Sequence, residues 1–125
     1  MTITLNQAQK LHELGARKKS QFVWFTIYAD NKYWDKILYE GKLTEDDLNA
    51  SETILPAYNA EELISIMQGD YEIRLNADKT VDITVWYERY KGYDYFKGNT
   101  LTEALCNKLI YDIENGIITP EEINK

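Results

Sequence analysis

Phe96-Lys97-Gly98-Asn99-Thr100-Leu101-Thr102-Glu103-Ala104-Leu105 reads as a strand that stops at a glycine and turns at once into a capped helix. The Thr100 side chain is placed to accept from the Glu103 amide, and the Glu103 carboxylate to reach back to the Thr100 amide. Leu101, Ala104, Leu105, Leu109 and Ile113 then recur at the helical period, and Asn115-Gly116 supplies the stop. A strand feeding a long amphipathic helix without a linker is the junction of an α+β domain.

Upstream of this junction lies the clearest β pattern in the chain. Tyr71, Ile73 and Leu75 alternate with Glu72, Arg74 and Asn76, which predicts one buried and one wet face. Ala77-Asp78-Lys79 turns the chain, and Val81, Ile83 and Val85 alternate with Asp82, Thr84 and Trp86. Lys91-Gly92 turns it again into a strand from Tyr93 to Lys97, completing a three-stranded meander.

Further upstream, Asn59 and Glu62 mark a short capped helix that carries Leu63, Ile64, Ile66 and Met67 and ends at Gly69. The segment from Gly41 to Ser51 has thin apolar content. With Glu45, Asp46, Asp47 and Glu52, the stretch Thr44 to Glu52 is expected to be an acidic, mobile surface loop. Phe22 to Tyr28 and Tyr33 to Tyr39, separated by Asp30-Asn31, predict a hairpin rich in aromatic and β-branched residues. A first helix opens on the box Thr4-x-x-Gln7, shows Leu5, Ala8 and Leu11 on one face, and ends at Gly15. Thr119-Pro120-Glu121-Glu122 forms a last capped turn with proline in the first helical position. The expectation is one α+β domain over residues 1–125. It has a mostly antiparallel sheet of about five strands, hairpin plus meander, with helices on one face.

Composition bounds the function. The 44% hydrophobic and 28% charged residues place the chain among ordinary globular proteins rather than disordered ones. One cysteine, Cys106, excludes an internal disulfide and fits a reducing compartment; inside the long helix it is expected to be a buried, inert thiol. No apolar run reaches the ~20 residues of a membrane helix, and the first residues lack the pattern of a signal peptide, so a cytoplasmic protein is expected. The formal charge of −7 opposes direct nucleic-acid binding, which requires cations to displace counterions from phosphate. The basic cluster Arg17-Lys18-Lys19 follows a helix, where cations offset the negative helix end.

Chemistry-bearing constellations are missing from the sequence. His12 and Cys106 are single examples of their kind, so no soft-ligand pair exists for zinc, and no calcium-loop spacing occurs. Ser20, Ser51 and Ser65 lack a nucleophile-elbow context, and no glycine-rich phosphate loop is present. The reading is therefore of a non-enzymatic protein with neither cofactor nor metal.

The ten tyrosines and three tryptophans remain, concentrated in the strands. In Trp86-Tyr87-Glu88-Arg89-Tyr90-Lys91-Gly92-Tyr93-Asp94-Tyr95-Phe96 both strand faces carry rings, and only one can meet the core. Trp86, Tyr87, Tyr90, Tyr93 and Tyr95 are the candidate protein-binding residues, because tyrosine and tryptophan bury much area at small entropic cost. Regular alternation puts Tyr87 with Val85 and turns Trp86 outward; a bulge near Glu88-Arg89 would swap the later positions.

The segments Leu5 to Gly15, Leu55 to Leu63, and Gly98 to Leu105 with Glu114-Asn115-Gly116 together resemble a family of small uncharacterised proteins from phages and prophages of gut bacteria. From Tyr71 to Ile113, the meander followed by Gly98-Asn99-Thr100 and Glu103-Ala104 is similar to HicB-type antitoxin domains. No recognisable DNA-binding extension follows that helix, which argues against a repressor role. The resemblances imply a phage accessory factor that binds or inhibits a host nucleic-acid-handling or defence protein. Alternatives are an antitoxin-like partner of a small basic toxin and a small-molecule sponge. The expected partner is a host protein, basic or nucleic-acid-binding, or a second copy of the chain, with neither nucleic acid nor membrane contacted directly.

Overall fold

The computed structural model describes residues 1–39, 45, 51–67 and 69–125. In chain order its elements are α1 (Leu5–Glu13), β1 (Phe22–Ala29), β2 (Lys32–Tyr39), β3 (Ser51–Pro56), α2 (Ala60–Ile66), β4 (Tyr71–Leu75), β5 (Val81–Tyr87), β6 (Gly92–Gly98), α3 (Leu101–Glu114) and α4 (Pro120–Ile123). The architecture is α+β, but the strands form two three-stranded antiparallel sheets, β2-β1-β3 and β4-β5-β6, rather than one sheet of about five.

The sixth strand is β3, which the sequence pattern did not disclose. It pairs with the open side of β1, from Val23 opposite Pro56 to Ile27 opposite Ser51, with a register shift between Thr26 and Ile27. Pro56 lacks a donor and is tolerated because it ends an edge strand. Ser51 and Glu52 thus belong to a strand instead of a loop, while the rest of the expected acidic loop, except the exposed Glu45, lies outside the described residues. On the other side of β1 the predicted hairpin forms. Asp30 and Asn31 take φ of 53° and 62°, the left-handed pair that a two-residue hairpin turn demands.

The helix starts follow the sequence grammar. Thr4 with Gln7, Asn59 with Glu62 and Thr119 with Glu122 each form complete capping boxes. At Thr100 half of the box forms: its side chain accepts from the Glu103 amide at 3.1 Å. The neighbouring Glu103 carbonyl instead accepts from the Gln7 side chain of α1 at 3.0 Å. Gly98 owes its identity to proximity, since a Cβ there would lie 2.4 Å from the Ala104 nitrogen.

Helix α3 packs on β5 and β6, with α1 and α2 against its other flanks. Leu105, Cys106 and Leu109 from α3, Val81, Ile83, Val85 and Tyr87 from β5, and Leu11, Leu55, Tyr58 and Leu63 from the other half join in one continuous core. Leu101 and Ile113, half-buried, pack against this core as the predicted helix face requires; the departure from it is that Lys108 and Asp112 are buried. The predicted burial of β4 also fails in part. Its apolar residues share a face with Val81, Ile83 and Val85, yet Ile73 is 49% and Leu75 73% exposed. Helix α3 packs on the neighbouring strands β5 and β6, and among the described residues no strand pairs with the outer edge of β4.

Candidate functional site

Strand alternation sorts the five candidate residues into two groups. The β5–β6 register runs without interruption from Val81 opposite Gly98 to Tyr87 opposite Gly92, so no bulge swaps the faces. Val85 and Tyr87 therefore point to α3, while Trp86, Tyr93 and Tyr95 share the outer face with Thr84. The three outer rings are 42%, 62% and 71% exposed, in that order. Trp86 and Tyr93, directly opposite each other, meet edge to face at 4.8 Å between centroids. The Trp86 indole N–H donates to the Glu88 carboxylate at 2.9 Å, which fixes the ring's orientation.

Beside these rings the outer face forms an open cleft of ≈ 450 Å³, lined by Asp70, Tyr71, Glu72, Thr84, Trp86, Tyr93 and Tyr95. Its charged lining is two carboxylates, and neither a lysine nor an arginine is among these residues. Aromatic faces next to carboxylates attract a cationic group, through the ring quadrupole and through direct charge. The same surroundings repel phosphate.

Tyr87 and Tyr90 do not belong to this face. Tyr87 is 6% exposed and donates to Asp112 Oδ1 at 2.5 Å. Burial, followed by that bond, pushes its phenol above the ordinary tyrosine range. Tyr90 is tilted against Tyr87 at 5.3 Å between centroids, donates to Asp94 and bonds the Tyr111 hydroxyl at 3.1 Å. Tyr87 is closed off beneath the helix, whereas Tyr90, in the turn, stays 46% exposed on the helix side; of the five expected residues, Trp86, Tyr93 and Tyr95 share the outer face.

The helix side holds a polar network that sequence reasoning missed. Lys108 Nζ donates to Asp112 Oδ2 at 2.6 Å, one helical turn along α3, and both side chains are buried. The ammonium also lies 5.6 Å from the Tyr71 ring centroid and 5.9 Å from that of Tyr87. A second hollow of ≈ 490 Å³ opens near Tyr87, Glu88, Arg89, Asp112 and Ile117. Among the described residues, no buried side-chain polar atom lacks a partner. The signal available in the sequence was an i, i+4 lysine–aspartate pair flanking Leu105 and Leu109 on the same helical face.

Other candidates resolve simply. Burial raises the Cys106 thiol to about 12, far from a reactive thiolate. His12 is exposed, and its carbonyl accepts from the Arg17 guanidinium, the helix-end role expected of the basic cluster. Among the described residues no group of three metal-ligating side chains occurs, and no helix is long and apolar enough to cross a membrane. Comparison with protein families, curated proteins and solved structures finds no match for this chain.

Proposed function

We propose that this chain is a non-enzymatic protein-binding module whose outer sheet face takes a basic segment of a partner protein. The observation that supports it is the placement of Trp86, Tyr93 and Tyr95, all exposed, beside the carboxylates of Asp70 and Glu72 in one cleft. Rings of this kind anchor interfaces, and the carboxylates together with a formal charge of −7 select a cationic partner. In the setting implied by the sequence resemblance, the partner is a cytoplasmic host protein that handles nucleic acid or acts in defence, and the chain is a phage accessory factor that occupies its basic surface. A small basic toxin is a second partner of the same chemistry. A sponge for nucleotide signals is disfavoured by the acidic lining of the cleft.

The test is capture from bacterial lysate with wild type, Tyr93→Ala/Tyr95→Ala and Asp70→Asn/Glu72→Gln, each first shown to be folded by circular dichroism. The expected outcome is a basic protein, identified by mass spectrometry, retained by wild type and lost from both variants. Retention of the same proteins by all three chains would remove the outer face from consideration. A toxin is recognised by its small size and by rescue of cell growth on co-expression.

A further inference from the structure

The open edge of β4 has a self-complementary sequence. Tyr71-Glu72-Ile73-Arg74-Leu75 reads apolar, acidic, apolar, basic, apolar, so turning the strand end for end about Ile73 places Glu72 against Arg74 and Tyr71 against Leu75. Among the described residues β4 pairs with β5 alone. The Asn76 amide donates to the Thr80 carbonyl at 2.9 Å, which makes Asn76 and Thr80 a hydrogen-bonded pair. Because such pairs alternate along an antiparallel ladder, Glu72 and Arg74 bond toward β5. The amides and carbonyls of Tyr71, Ile73 and Leu75 then point out of the sheet edge.

We propose that this edge joins two copies of the chain. β4 pairs antiparallel with β4 of a second copy about a two-fold axis at Ile73, and the two meanders become one six-stranded sheet. Three sets of groups meet in this register. The outward amides and carbonyls of Tyr71, Ile73 and Leu75 gain partners. On the helix side, Ile73 meets its own copy and Leu75 meets Tyr71, which covers apolar side chains that are 49% and 73% exposed in the single chain.

On the outer side the charges continue an existing pattern. Lys97 stands opposite Asp82 and Asp82 opposite Arg74, so alternating charge crosses the sheet and stops at the edge with a cation. Glu72 of the second copy is the next member of that row. A flat edge with these exposed side chains is a general hazard, and charge usually blocks it. Here the two charges have opposite sign and equal distance from Ile73, so they repel foreign registers and favour this one. The two-fold axis stands perpendicular to the sheet, so both aromatic clefts open on the same side of the dimer. Glu72 also lines the cleft, so the dimer seats Arg74 of the second copy beside it; sedimentation of the chain alone reads the pairing without any cleft ligand.

Sedimentation of the purified chain between micromolar and several hundred micromolar tests the arrangement. The expected result is a dimer at twice 14.7 kDa. Arg74→Glu alone is expected to weaken it by about tenfold or more, because two cross-strand attractions become repulsions. Glu72→Arg/Arg74→Glu, which exchanges the charges and keeps their complementarity, is expected to restore it, and rescue by the exchange excludes misfolding as the cause of the loss. A monomer throughout, or a dimer unmoved by Arg74→Glu, would overturn the proposal. So would a dimer lost on Trp86→Ala and kept on Arg74→Glu, since the copies would then meet through the aromatic face.

Discussion

Trp86 and Tyr87 are neighbours in sequence and stand on opposite faces of one strand, 42% and 6% exposed. Toward α3, the sheet presents Val81, Ile83, Val85 and Tyr87, closed over by a helix and tied to a buried ion pair. Away from it, the same strands present Asp82, Thr84 and Trp86, with Tyr93 and Tyr95 from β6. An aromatic residue is thus a structural or an exposed residue according to the parity of its position. Composition counts both alike, and only register separates them.

The contrast is broken most severely from the helix side. Asp112→Ala is expected to destabilise the fold by ~3–5 kcal/mol, because Lys108 would be left buried without its counter-charge. Chemical denaturation measures this, and a loss under ~1 kcal/mol would mean that the ammonium reaches water when its partner is removed. Replacing the pair together, Lys108→Met/Asp112→Leu, is expected to recover much of the loss, since apolar side chains of similar size carry no desolvation cost.

Tyr87→Phe sharpens the comparison at a single atom. It removes one hydrogen bond to a carboxylate that keeps its lysine, and an expected cost of ~1–2 kcal/mol follows. The variant also carries a pH signature. Burial holds the Tyr87 phenol above the ordinary tyrosine value of 10.0, so the stability it contributes is fully present below that value. It is lost as the pH rises beyond, because the unfolded chain releases its proton first. Denaturation midpoints above this pH should fall less steeply for Tyr87→Phe than for wild type.

The smallest change belongs to the other face. Tyr95→Ala, at the most exposed of the three outer rings, is expected to alter stability by no more than ~0.5 kcal/mol. A larger loss in the same denaturation experiment would show that this ring is part of the fold's own packing.

What was legible in the sequence follows the same division. Strands β4 and β5 and the caps of all four named helices could be read, because period-two alternation and the capping residues act over a few positions. Strand β3 was illegible, since its adjacent Ile54 and Leu55 between Thr53 and Pro56 imitate no alternation. The partition into two sheets was illegible for a different reason: pairing partners are set by tertiary packing, which local periodicity does not encode. At the candidate site, alternation correctly turned Trp86 outward. Tyr90 lies in the turn beyond β5, where alternation gives no instruction, and it folded back onto Tyr87. Lys108 and Asp112 were hidden by the rule that charge marks the wet side of a helix, a rule that a closed ion pair escapes.

Cys106, described above as chemically inert, has a practical consequence for that reason. It is the only thiol in the chain, it lies in the core helix, and burial holds it at about 12. A thiol reagent at neutral pH therefore meets it only in molecules whose core has opened. The labelled fraction after a timed exposure becomes a count of opening events, readable by mass without an added probe. Each variant and each bound partner can be ranked on that one intrinsic scale.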